Sequence, residues 1–235
     1  FIKAMLALQE SWEGGTLADL RRFLVEKSFR KEFLKTVQDP EVVYFWEHDH
    51  TLLSGRPEGS VITRLNSFLR PKPIRHMVSQ KENKLDLAKV MDEGKILLAR
   101  IPQGLIGEEN AHLLGSLLVT KIHQLVLGRQ AREAGSRRPF WLYIDEFPHF
   151  MTASMGAILS GARKYNLGLT LAHQDLRQLE GKDRDVASAV MANAHTRIAF
   201  RLGDQDARAL EGGFAHYGRE DLQNLAIGQA ICRVG

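Results

Sequence analysis

Phe140-Trp141-Leu142-Tyr143-Ile144-Asp145-Glu146 runs five apolar residues straight into two adjacent carboxylates. An apolar strand holds its backbone rigidly, and its carboxyl end projects the next residues into the crevice where α/β sheets take ligands. Asp145 there offers the hard oxygen donor that Mg2+ favours, directly or through water. Glu146 can orient or deprotonate an attacking water. This is the shape of a Walker B strand and suits hydrolysis of a phosphoanhydride; a buried strand ending in solvated acids is the plain alternative. Downstream, Leu169-Thr170-Leu171-Ala172-His173-Gln174 is a second apolar run ending in polar groups. The Gln174 amide is both donor and acceptor, which suits sensing a terminal phosphate by a hydrogen bond. Between the two runs lies Ser160-Gly161-Ala162-Arg163-Lys164-Tyr165. A guanidinium at Arg163 can reach a neighbouring subunit's nucleotide and offset transition-state charge; a surface salt bridge is the alternative.

These residues need a sheet to present them, and the pattern after Leu85 provides one. Short apolar runs at Ile96–Ile101, 140–144, 167–171, 197–202 and 229–234 read as strands. Helical spacing over 108–128, 155–165, 186–194 and 205–211 fills the gaps between them. Strands alternating with helices predict a mostly parallel sheet covered on both faces. Residues 1–75 read differently. Leu17, Leu20, Phe23 and Leu24 recur at helical spacing behind Thr16, a candidate N-cap. Phe29, Phe33 and Val37 continue the stripe, and Val42, Val43, Phe45 and Trp46 follow Pro40. A polar loop is expected over Glu47–Gly59, with Gly55, Pro57 and Gly59 as breakers, then one more helix closed by Pro71 and Pro73. This stretch predicts a small all-helical module, 1–75, ahead of an α/β core, 76–235.

Composition bounds the function classes. The 235 residues are 44% hydrophobic and 26% charged, which excludes disorder and leaves enough apolar surface for a full core. The single cysteine, Cys232, excludes an intramolecular disulfide and a cysteine-based zinc site. No run reaches the roughly 18–20 apolar residues that span a bilayer. The formal net charge of +4 is compatible with a polyanion partner without requiring one.

Several features carry less. Glu47-His48-Asp49-His50 lacks a third histidine or cysteine at ligand spacing, so it reads as polar chain rather than a metal site. His173 beside Gln174 reads equally as a nucleotide contact or a packing histidine. Arg129, Arg132, Arg137 and Arg138 read as a solvated basic loop, with phosphate contact the alternative. Asp204 and Asp206 either contact an adjacent subunit or cap the short helix that follows them. Trp12 and Trp46 read as core of the helical module.

The run LYIDEFPHF…ILSGARKYNLGLTLAHQDLRQL, with LDLAKVMDEGKILLARIPQGLIGEENAHLLGSLLVTKI upstream and TRIAFRLGDQDARAL downstream, resembles the motor domain of conjugative coupling proteins, the TraG/TraD-type ATPases of type IV secretion systems. The resemblance covers residues 60 to 235. It implies a RecA-like P-loop NTPase core belonging with the hexameric DNA translocases. It implies Asp145 and Glu146 as the Walker B acids, with ATP and Mg2+ as cofactors. Asp145 would hold the metal, Gln174 would couple nucleotide state to movement, and Arg163, eleven residues earlier, would be the arginine finger. Residues 1–75 then resemble the all-α insertion that faces the cytoplasm in that family. The implied partners are single-stranded DNA, a relaxase-type nucleoprotein and the secretion channel. The implied location is the cytoplasmic face of the bacterial inner membrane. Related readings are a secretion ATPase that moves protein, and a non-catalytic interaction module. One departure is clear: no G-x-x-x-x-G-K-[ST] occurs in these 235 residues. In the family that loop precedes the helical insertion, so it and the membrane anchor are expected ahead of Phe1. Without the loop, these residues alone are expected to bind ATP poorly and not to turn it over.

Overall fold

The computed structural model of the chain describes residues 4–5, 7–8, 15–50, 59–152 and 155–235. The chain divides into two compact units, Phe1–Asp86 with Pro102–Ala111, and Leu87–Ile101 with His112–Gly235.

The first unit is helical. Helix α1 (Leu17–Val25) opens on the expected Thr16 cap. Its hydroxyl accepts the Asp19 N–H at 3.3 Å, and the Asp19 carboxylate accepts the Thr16 N–H at 3.1 Å. This reciprocal pair satisfies two amides that a helix start leaves open. Helix α2 (Lys27–Leu34) follows, then α3 (Pro40–Tyr44), whose first turn is capped by Asp39. The chain does not leave helical geometry at Glu47, the expected start of a loop. It runs on as a π-helical turn, Phe45–Asp49. The reason lies in ring pairs one turn apart: Tyr44 stacks on His48 and Trp46 packs on His50, each at 4.5 Å. Gly55 and Pro57 lie outside the described residues, as does Trp12. Helix α4 (Gly59–Leu69) ends where expected, but Pro71 and Pro73 do more than stop it: they cap and open α5 (Lys72–Val78). Proline is at home there because the first turn has no bond for its missing N–H to make. Leu20, Phe23, Leu24, Val42, Trp46 and Leu65 form the core, with Phe23 edge-on to Trp46 at 5.0 Å. Trp46 is a core residue, as its helical stripe indicates.

The second unit carries the strands. Helix α6 (Leu87–Asp92) opens it. A short helix, α7 (Gln103–Ile106), precedes α8 (Glu108–Gly128), which enters this unit at His112. Strand β1 (Phe140–Ile144) leads through a 3-10 turn (Phe147–Phe150) to α9 (Met155–Gly161) and a second 3-10 turn (Ala162–Tyr165). Strand β2 (Leu167–Leu171), α10 (Leu176–Glu180), α11 (Arg184–Asn193) and β3 (Arg197–Ala199) follow. Helices α12 (Asp204–Leu210) and α13 (Arg219–Gln223) precede β4 (Ile231–Arg233). β1 and β2 pair in parallel with Phe140 opposite Leu167 and Ile144 opposite Leu171.

The expected single, mostly parallel sheet is therefore corrected. The described strands form one parallel pair, β1–β2, and one antiparallel pair, β3–β4. The run at 96–101 is irregular: Ile96 and Leu98 are 89% and 90% exposed, while Leu97 packs on the core. Alternation is a strand signal, but a strand exists only where a partner backbone takes its hydrogen bonds. Coverage is also one-sided. Ile144 and Leu167 are buried, whereas Trp141 and Tyr143 are 63% and 70% exposed. Gly168 lies opposite Trp141, and a Cβ there would overlap the indole, which accounts for a glycine inside a strand.

The basic loop before β1 is a clasp. Buried Arg129 bonds Asp92 and the Arg138 carbonyl, at 3.3 and 2.9 Å, and Arg132 bonds the other Asp92 oxygen at 2.7 Å. Arg137 donates to the Lys164 carbonyl at 2.9 Å, while its own carbonyl accepts the Asn166 side-chain amide at 2.7 Å. Arg138 donates to the Glu93 carbonyl at 3.1 Å. Arg137 ties the entrance of β1 to that of β2, and the other three arginines tie it to the end of α6.

On α8, His123 is buried and its Nε2 has no hydrogen-bond partner among the described residues. Burial pushes its pKa below the usual histidine value, because the charged form would lose its hydration. The unfolded chain, with an ordinary pKa near about 6.5, then binds more protons than the native one. A penalty absent above that pH builds as pH falls through it, and is complete below the folded-state pKa. Replacing His123 by Leu should therefore flatten the decline in urea-unfolding free energy between about pH 7.5 and 5.5. Equal slopes in both proteins would refute the assignment.

Candidate active site

The carboxyl end of β1 is built by a local departure from the ladder. The Ile144 carbonyl still accepts the Ala172 N–H at 3.0 Å, and the Phe147 N–H returns to donate to the Ala172 carbonyl at 3.0 Å. Asp145 and Glu146 lie between these two bonds and are looped out of the sheet. The loop is possible because Glu146 adopts φ 49°, ψ 43°, the left-handed region. For a residue with a Cβ this costs about 1–2 kcal/mol. Two features hold it there. Phe147 is fully buried and Pro148 follows it into the core. The Asp145 Oδ1 accepts the Glu146 N–H at 3.0 Å.

Gln174 follows β2, the strand paired with β1, and its Nε2 donates to the Glu146 Oε1. Residues 28 positions apart in sequence are thus joined side chain to side chain. Asp145 is exposed beside them. His173 lies edge-on to Phe147 at 5.6 Å, with Nδ1 3.2 Å from the Asp175 carbonyl.

Arg163 is not brought to these three residues. It lies in the 3-10 turn that enters β2, whereas Gln174 follows the strand's exit, and the strand alone spans about 13 Å. The side chain is exposed, with no hydrogen bond or ion pair among the described residues.

Two supports went unread in the sequence. The first is Phe147, which follows the two acids outside the apolar run and is distinguished only by complete burial. The second is Gly115 of α8, where a Cβ would overlap the Phe150 ring. Nearby, His112 stacks on His149 at 4.4 Å. A glycine in mid-helix was the available signal, since it costs stability unless something packs closely against it.

The donor set can be tested against Mg2+ and ATP. Among the described residues no three His, Cys, Asp or Glu side chains are grouped to cage a metal ion. One exposed carboxylate at a strand end is instead the protein donor that Mg2+ takes when phosphates and waters supply the rest. The acids and Gln174 fit the cation and water side of a nucleotide site. The phosphate-cradling loop is not among these residues.

Residues 139–210 match the family model for the TraM recognition site of TraD and TraG. No curated protein matches the sequence. Among solved structures, the unbound monoclinic form of the bacterial conjugative coupling protein TrwBdeltaN70 is similar over 100% of this chain and 61% of its own, with TM-score 0.63 and 14% identity. The plasmid coupling protein TrwB with the non-hydrolysable ATP analogue ADPNP is similar over 97% of this chain and 58% of its own, with TM-score 0.62 and 14% identity. TrwB with ADP and Mg2+ covers 100% and 60%, with TM-score 0.63 and 14% identity. At this identity the likeness is one of fold, and the chain spans 58–61% of those structures' length. Together these findings bear out the resemblance to TraD/TraG-type coupling proteins, by sequence over 139–210 and by fold over the chain. Among the described residues no helix is long and apolar enough to cross a membrane.

Proposed function

We propose that this chain is part of an ATP-driven, DNA-translocating motor of conjugative transfer, the coupling protein of a type IV secretion system. The observation that carries the reading is the pair of acids looped out at the end of β1, with Gln174 of the neighbouring strand bonded to Glu146, in a chain that shares the TrwB fold. The core is read as RecA-like and residues 1–75 as an insertion-like all-α module. Bound Mg2+–ATP supplies the phosphoanhydride and a cation that offsets its charge. Asp145 holds that cation, directly or through water. Glu146 orients the attacking water and takes its proton. Gln174 holds the Glu146 carboxylate in register and reports changes at the strand ends to the chain beyond. Arg163, at the far end of β2 and without a partner among the described residues, acts on a neighbouring subunit, so the working unit is an oligomer, a hexamer by analogy with the family. Residues 139–210 also contribute to recognising a relaxosome-type protein, as the TraM-recognition description of their family suggests. Single-stranded DNA with its attached relaxase is the cargo and the secretion channel the destination, at the cytoplasmic face of the inner membrane.

The test is the sequence encoded ahead of Phe1 and the ATPase activity of the polypeptide so extended. A phosphate loop and DNA-stimulated hydrolysis are expected. A loop without stimulation by DNA favours a motor that moves protein, and no loop at all favours a non-catalytic module. Within the extended protein, Arg163→Ala and Asp145→Asn should each be inactive alone, yet regain part of the activity when mixed. Some interfaces then pair an intact arginine with an intact acid. Full activity of Arg163→Ala alone would remove Arg163 from the mechanism.

A further inference from the structure

Gln174 reaches Glu146 from the short link between β2 and α10, and that link is held at both ends. The upstream end is held by the two ladder bonds of Ala172. Contacts inside the link are local: Asp175 accepts the Gln178 N–H at 2.9 Å, and His173 leans on Phe147. The downstream end is held twice: the Leu176 side chain is buried in the main core, and its backbone is held from a distance. The Leu176 N–H donates to the Asp206 Oδ2 at 3.3 Å, across 30 positions of sequence.

Asp206 is well placed to act as a fixed point. On α12, Ala207 is fully buried in the cluster of Ala199, Phe214, Leu222 and Ile231. Leu210, one turn after Asp206 and so on the same helix face, packs on that cluster and on the main core as well. The helix is braced further by Asp204, which pairs with Arg219 at 3.6 Å and accepts a bond from Gln223 on α13. Neither acid caps its own helix, where Gly203 makes no side-chain cap.

We propose that Asp206 is the positioning residue for Gln174: clamped on α12 between two apolar clusters, its carboxylate pins the amide of Leu176 and fixes the link from which Gln174 reaches Glu146. Residues 197–235, which carry α12, thereby gain a direct mechanical hold on the candidate site. The inference deepens the reading of Glu146 and Gln174 as a hydrolytic pair. It rests on that reading only for its consequence in turnover.

The experiment is NMR on the 235-residue chain, following the Gln174 side-chain amide signals and backbone amide exchange. Glu146→Ala marks where the Gln174 signals fall when their acceptor is gone. Asp206→Ala should move them to that position and speed Leu176 exchange by at least about tenfold. Gln178, capped by Asp175, should be unchanged. Asp206→Asn keeps an acceptor oxygen and should restore both readouts in large part. Gln174 signals that stay in place in Asp206→Ala overturn the proposal. So does a loss of protection shared evenly by Leu176, Gln178 and the core, which reports general destabilisation. Should Asp206→Ala not fold, Asp206→Asn must keep the Gln174 signals and the longer Asp206→Glu must shift them; wild-type signals in both overturn it equally. An extended polypeptide without ATPase activity would defeat the hydrolytic reading while leaving these signals to decide the role of Asp206.

Discussion

Asp145→Asn is expected to lower DNA-stimulated ATP hydrolysis by the extended polypeptide at least about a hundredfold, with the unfolding midpoint nearly unchanged. The asymmetry follows from the geometry. The asparagine amide keeps an oxygen that can accept the Glu146 N–H, so the turn that loops the acids out of the ladder survives. What is lost is the negative charge, on an exposed side chain whose burial stabilises nothing. A neutral amide is a poor ligand for a hard divalent cation. Steady-state hydrolysis with and without single-stranded DNA, beside urea unfolding of the same protein, separates the two effects. Activity within a few-fold of the parent would remove Asp145 from metal binding. A large fall in stability would show that its role is to hold the turn.

The converse is expected of the next apolar position. Phe147→Ala should cost about 3–5 kcal/mol of unfolding free energy, the usual range for a fully buried phenylalanine. Phe147 closes the ladder through Ala172, packs under His173 and sits in the main core with Ile144, Met155 and Leu179. Removing the ring leaves a cavity in the main core at the residue that follows Glu146, which is already held in an unfavourable backbone region. Urea titration measures the loss, and Phe147→Leu should recover much of it because more of the volume stays filled. A cost under about 1 kcal/mol would mean that the site collapses freely around the missing ring, and that Phe147 is not what holds the acids out.

Legibility varied with the range of the interaction. Thr16 caps α1 because a cap depends only on residues three positions away, and strands β1 and β2 have the bounds their apolar runs indicate because each run found the other as its partner. The 96–101 run carries the same signal and makes no strand, since pairing requires a partner that local spacing cannot supply. The arginines before β1 look like a free basic surface in one dimension. In three they are engaged by Asp92 and by backbone carbonyls. The turn of Glu47 through His50 departs from its signal for a related reason: charge and histidine content suggest a loop, while ring stacking at helical spacing keeps it wound.

The order of residue types alone determined which groups could do chemistry here: two acids ending one apolar run, a glutamine ending another, an arginine between them. Side-chain functional groups and strand-length apolar runs are properties of the chain itself. Only the tertiary structure decided which of these groups meet. The parallel register set Gln174 against Glu146 and left Arg163 at the opposite end of β2. A left-handed residue, its strain offset by the burial of Phe147, turned the acids out of the ladder, and Asp206 was drawn from a distant helix to the amide of Leu176. Contacts between residues 28 and 30 positions apart arise from strand pairing and shared burial, which no local pattern encodes.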